Sequence, residues 1–133
     1  MDRDLVEEVW RRVAPTLLSD GDAGTSLRWV APRPMCILNN AADPRTPRAG
    51  TEAAVRSAAA AYVALGAADA LTLIHDISAG PEMLPPDRVQ EGHKVTDAMW
   101  SYAVAFLKHA LGGGVAPTLG PGLEQAGVFR SDL

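Results

Sequence analysis

A single cysteine, Cys36, stands in these 133 residues, which excludes an internal disulfide and any cysteine-based zinc site. It sits in an apolar stretch, where the ordinary role is that of a small hydrophobe. Burial without a nearby cation raises a thiol pKa and does not activate it. No apolar run approaches the roughly 20 residues of a membrane span. The start, Met1-Asp2-Arg3-Asp4, lacks the basic and apolar regions of a signal peptide, so the chain is expected to be cytoplasmic. Basic charge is also scarce. The net charge is −4 and the pI near 5.2, and Arg28, Arg33, Arg45, Arg48, Arg56 and Arg88 are scattered. That balance argues against a nucleic-acid or anionic-membrane partner. There is no internal repeat. What remains is 47% apolar and 21% charged, a globular composition with room for one domain and a modest core.

Leu5, Val9 and Val13 recur at a spacing of four with Trp10 beside them, which predicts an amphipathic helix ending near Pro15. Residues 19–26 are rich in Asp and Gly and read as loop. The apolar run Met35-Cys36-Ile37-Leu38, within a strand over 34–39, shows no polar alternation, as in a strand covered on both faces of a parallel sheet. A helix follows, with Thr46 as cap, Pro47 at its first position and Gly66 just past its end. It is rich in alanine, whose small side chain lets a helix lie close on a sheet. Residues 71–77 form a second strand, so strand, helix and strand make a parallel βαβ unit. Residues 78–91 contain three prolines and a glycine and read as an exposed excursion. Thr96 caps a last helix with Asp97 in its first turn. Trp100, Ala103, Val104, Leu107 and Leu111 are its expected buried stripe, and Gly112-Gly113-Gly114 stops it. From residue 115 onward no period is sustained, and a loose tail is expected.

Two polar residues stand out against this frame. Asp43 follows the first strand and His93 follows the second. In open α/β sheets, ligands gather at the carboxyl ends of the strands, so these side chains are expected to meet. An aspartate bonded to one imidazole nitrogen fixes the tautomer and stabilises the imidazolium, while the other nitrogen removes a proton from a nucleophile. An acid and then a histidine after successive strands is the second half of a nucleophile–acid–histidine order. Taken alone, Asp-Pro is also an ordinary turn starter and a loop histidine is ordinarily solvated.

The run Ala31-Pro32-Arg33-Pro34, the apolar strand, and Asn39-Asn40-Ala41-Ala42-Asp43-Pro44-Arg45-Thr46-Pro47 resembles the acid-bearing segment of α/β-hydrolases. It looks most like the branch of dienelactone hydrolases and prolyl-oligopeptidase-type esterases and peptidases. The helix ending Tyr62-Val63-Ala64-Leu65-Gly66-Ala67 is similar to the one after that acid. Gly92-His93-Lys94-Val95-Thr96, with Trp100 and Phe106-Leu107, resembles the histidine loop and closing helix. The likeness spans Trp29 to Leu111, under half of a usual family member. It implies a partial α/β-hydrolase fold over residues 1–111, with 112–133 as a flexible tail. It further implies a small-molecule ester or amide as substrate, Asp43 as orienting acid, His93 as general base and then acid, and no cofactor. Two departures stand out. The family commonly has a glycine before the acid, where this chain has Asn39-Asn40-Ala41-Ala42 and a left-handed asparagine is expected to serve. The loop over 78–91 is also longer than the family's.

The serine turn Gly-x-Ser-x-Gly and the oxyanion-hole amides belong to preceding segments in the family, and none of the six serines here has glycines at both flanking positions. Ser78 alone falls near His93 on this reading, in a loop without the strained turn that exposes a nucleophile. No turnover is expected from these residues alone. His93 and Asp97, four apart, with Asp43 would suit a metal, but Asp97 is better explained as a helix-start charge, and no metal is expected. His75, beside Asp76 in its strand, reads as packed or paired. Two strands make a marginal sheet, so an amino-terminal half or a second copy is expected to cover the exposed edge. The alternative reading is a non-catalytic α/β remnant serving as an interaction or oligomerisation module.

Overall fold

Two strands whose first four residues are largely apolar pair in parallel. In the computed structural model, which describes residue 8 and residues 12–13, 23–80 and 84–127, these are β1 (Met35–Asn40) and β2 (Leu71–Asp76). Met35 lies opposite Leu71, and the register runs through to Asn40 opposite Asp76. Both strands end in two polar residues. Side chains alternate between faces, so Asn39 and His75 form a polar row on one face and Asn40 and Asp76 on the other.

The short helix α1 (Ala23–Ser26) runs into a 3-10 turn, Leu27–Val30, and both pack on helix α2 (Arg48–Ala64). Helix α2 lays Val55, Ala58, Ala59 and Tyr62 over Leu71 and Leu73 of β2, with Leu27, Met35 and Ile37 at the margin. Each fully buried Val or Leu contributes about 1.5–3 kcal/mol relative to exposure. The Tyr62 hydroxyl donates to the Arg33 carbonyl at 2.8 Å, anchoring α2 to the lead-in of β1. Gly66, at φ +66°, ends the helix as expected. The start differs. Pro47 is the N-cap and Thr46 caps nothing; its hydroxyl instead donates to the Asp43 carboxylate, a charge-assisted bond stronger than a neutral one.

The described end of the 78–91 loop is not plain coil. It holds a 3-10 turn, Pro86–Arg88, and a one-turn helix α3 (Val89–Gly92). Helix α4 (Asp97–Ala110) begins as expected, with Thr96 Oγ1 accepting from the Met99 amide at 3.2 Å. Its buried stripe is not the expected one. Met99 and Tyr102 are buried, whereas Trp100 is 66% exposed, Leu107 57% and Leu111 85%. Among the described residues the sheet has three strands and offers α4 one narrow face, and none of those strands lies under Trp100, Leu107 or Leu111.

The loose-tail expectation is also corrected. Leu123–Gln125 form a third strand, β3, antiparallel to β2, giving the order β1-β2-β3 in a mixed sheet. Two contacts beyond its own ladder hold it: the Ala126 amide on the Leu73 carbonyl at 2.9 Å and Arg48 Nη2 on Glu124 Oε1 at 2.5 Å. Among the described residues β1 pairs with β2 alone, so its other edge is open. No helix of the described residues is long and apolar enough to cross a membrane. The expected amino-terminal helix falls mostly outside the described residues; Glu8, Arg12 and Val13 are helical. Cys36 is half-buried, and burial raises its thiol to about 11, the inert state expected of it.

The polar row beneath α2 is packed closely. His75 is fully buried, and Asn39 Nδ2 donates to its Nδ1 at 3.2 Å. Its Nε2 lies 3.3 Å from Glu52 Oε1 without the alignment of a hydrogen bond. Glu52 Oε1 accepts instead from Arg48 Nε at 2.9 Å. Burial first, then the Arg48 guanidinium, holds His75 below the usual imidazole range, against the opposing pull of Glu52 and Glu124. A folded value below the unfolded one of about 6.5 means the unfolded chain binds the proton more readily. The stabilisation is therefore complete above that value and is lost as pH falls from it toward the folded one. Urea midpoints are expected to drop between pH 7 and pH 5, and His75→Gln should remove that part of the drop. Equal pH slopes in the two proteins would exclude His75 as its source.

Candidate active site

The acid-bearing turn is built by Asn40. Its Oδ1 accepts from the Ala42 amide at 3.0 Å, and its carbonyl accepts from the Asp43 amide at 3.1 Å. Such a side-chain turn lets the chain reverse without a left-handed residue. Among the described residues no non-glycine has positive φ, so the expectation of a left-handed asparagine here is overturned. The turn is tied back to the sheet by the Ala41 amide, which donates to the Asp76 carbonyl at 2.9 Å.

Asp43 emerges buried, its side chain 6% exposed. Oδ1 accepts from the Arg45 amide at 2.9 Å, and Oδ2 accepts from Thr46 Oγ1 at 3.2 Å and from His93 Nδ1 at 2.7 Å. Burial on its own would raise this carboxyl. The His93, Arg45 and Thr46 hydrogen bonds, together with the nearby imidazole charge, outweigh it and leave Asp43 below the ordinary carboxylate range. At neutral pH it is an anion, able only to accept, so Nδ1 carries the proton. The structure thus brings together the two residues singled out from the sequence.

His93 is delivered by α3. Its amide donates to the Val89 carbonyl at 3.0 Å, closing the turn, and its side chain is 46% exposed. The preceding Gly92 lies flat on the acid turn: a Cβ there would stand 2.8 Å from the Ala42 oxygen and 3.1 Å from the Asp43 nitrogen. The same Ala42 carbonyl accepts from the Leu84 amide at 3.0 Å. The histidine loop and the acid turn therefore meet backbone to backbone, directly beside the 2.7 Å contact.

Beside the pair opens a cavity of about 370 Å³, with Leu38, Asn39, Val95 and Met99 among its walls. A larger one, about 600 Å³, lies between α1 and α2 and is lined mainly by small and apolar residues. It holds no acid–base pair; the smaller space is the one that Asp43 and His93 line. Ser78 is not in it. Its hydroxyl donates to Asp76 Oδ1 at 2.5 Å and no bond joins it to His93. Among the described residues no group of three or more His, Cys, Asp or Glu side chains is placed to hold a metal ion.

Three contributors escaped the sequence reading. From sequence alone Thr46 reads as a helix cap, Gly92 as the residue before the histidine, and Asp76 as a neighbour of His75. Each acts through a partner more than 10 residues away or through a turn not visible in periodicity, except Thr46, whose spacing of three from Asp43 fits a local side-chain turn. Among known proteins, no family model, no curated protein and no solved structure matches this chain.

Proposed function

We propose that this chain is the carboxyl-terminal part of a serine hydrolase that cleaves an ester or amide bond. The observation that carries the reading is the hydrogen bond from His93 Nδ1 to the buried, anionic Asp43 at 2.7 Å beside a cavity. With Nδ1 occupied, Nε2 is the nitrogen available for proton transfer. It would take the proton of a serine hydroxyl as the oxygen attacks the substrate carbonyl. It would return that proton to the leaving alcohol or amine as the carbon–heteroatom bond breaks. Water then repeats the sequence and frees the acid product. Asp43 stabilises the imidazolium in both halves. The serine and the amides that would hold the oxyanion come from a segment outside these 133 residues.

The test is to read the frame upstream of Met1 and to express the contiguous polypeptide. A Gly-x-Ser-x-Gly segment there, with p-nitrophenyl ester cleavage, is the expected result. An unrelated segment and no cleavage would sink the proposal. The open edge of β1 and the outward Trp100, Leu107 and Leu111 favour a second reading, a non-catalytic module that pairs with itself or another chain. Under that reading the isolated chain is a stable dimer by sedimentation, and the upstream frame carries no serine turn.

A further inference from the structure

We propose that Asp76 is a positioning residue, one that holds the acid turn and the histidine loop in register with each other; the inference rests on the reading of Asp43 and His93 as the catalytic pair. Asp76 closes β2, opposite Asn40, and is 1% exposed. Its backbone carbonyl accepts from Ala41, two residues before Asp43. Its side-chain Oδ2 accepts from Thr96 Oγ1, three residues after His93. Its Oδ1 accepts from the Ser78 amide at 2.8 Å and the Ser78 hydroxyl at 2.5 Å. One residue therefore grips both limbs of the site, the acid limb through its main chain and the histidine limb through its carboxylate.

The side chain's own chemistry points the same way. Both oxygens accept from Ser78 or Thr96, and the hydrogen bond of His93 goes to Asp43, so Asp76 does not compete for the imidazole. Capping α4 requires only Thr96, which accepts from Met99. The buried carboxylate behind that cap takes the Thr96 hydroxyl proton and so turns the oxygen's lone pair toward the Met99 amide. It also fixes where in space the helix starts, and the helix start is where the His93 loop ends. An anion this deep is costly unless it is fully hydrogen-bonded, and here the three hydrogen bonds outweigh the effect of burial and leave it below the ordinary carboxylate range.

The experiment follows the downfield Nδ1 proton of His93 by nuclear magnetic resonance in the full chain at neutral pH, with far-ultraviolet circular dichroism as the check on folding. Asp76→Asn keeps the shape and removes the charge; Thr96→Val removes the hydroxyl; Thr96→Ser restores it. In the first two, the His93 proton signal is expected to vanish or to exchange with water about tenfold faster or more, the equivalent of one weakened charge-assisted hydrogen bond. Thr96→Ser should retain the signal. A purely structural cap would lower stability in Thr96→Val and leave the signal where it was. An unchanged signal in either folded variant overturns the proposal, as does its absence from the unaltered chain. If Asp76→Asn does not fold, Thr96→Val against Thr96→Ser decides. Failure of ester cleavage in the contiguous polypeptide, with the signal responding as expected, would remove the hydrolase reading and leave the positioning role intact.

Discussion

On the proposed hydrolase reading, His93→Ala in the contiguous polypeptide is expected to lower ester turnover by roughly six orders of magnitude, the loss found when a triad histidine alone is removed. The size follows from what the imidazole does. A serine hydroxyl is a poor nucleophile at neutral pH, and no other described base shares the cavity with His93: Asp43 is anchored by three donors and Lys94 is a cation. Asp43→Asn should show a parallel loss of about four orders, because an amide donor facing Nδ1 selects the wrong tautomer. The two losses should not add, since both residues act on the same proton. The measurement is kcat for a p-nitrophenyl ester in the single and double variants. More than a tenth of the activity surviving His93→Ala would take that residue out of the mechanism. Low pH offers an independent check. Asp43 is held below its unfolded value of about 3.9, so the stabilisation it lends is complete above that value. It is lost as pH falls from there toward the folded value, and Asp43→Asn should flatten stability over that acid window.

The parallel unit and the acid–histidine pair were legible because local signals carry them. Continuous apolarity marked β1 and β2 to within a residue or two, Gly66 and Gly112 marked helix ends, and Thr96 marked a helix start. Strand ends in a parallel unit share one rim, so Asp43 and His93 could be placed together before any coordinate. Features set by partners distant in sequence were not legible. β3 is three residues long, and its pairing depends on Arg48 and Leu73. The face α4 buries depends on how wide a sheet lies beneath it, which periodicity within the helix does not encode: Trp100 and Met99 are neighbours in sequence and opposite in burial. The role of Thr46 turned on competition between a helix start and a carboxylate, and the carboxylate prevailed.

Gly92→Ala is expected to disturb the pair without touching either member. Gly92 does not have positive φ, and alanine at the end of a helical turn would ordinarily be favourable by up to about 1 kcal/mol. Against that gain stands the added methyl, 2.8 Å from the Ala42 oxygen, 2.9 Å from its carbonyl carbon and 3.1 Å from the Asp43 amide nitrogen. All three are backbone atoms, and the turn they belong to is pinned by Asn40 Oδ1, the Asp76 carbonyl and the Leu84 amide. The turn has little freedom to retreat, so the histidine loop must move. Forcing a methylene into such a contact costs about 1–3 kcal/mol, and the net result is expected to be destabilising in urea unfolding. The displacement falls directly on the 2.7 Å bond from His93 to Asp43, so the His93 proton signal should weaken in proportion, and ester turnover in the contiguous polypeptide should fall with KM nearly unchanged. A more stable Gly92→Ala protein with an intact signal would mean that the loop and the acid turn stand further apart than these distances, and that something other than backbone contact holds imidazole and carboxylate together.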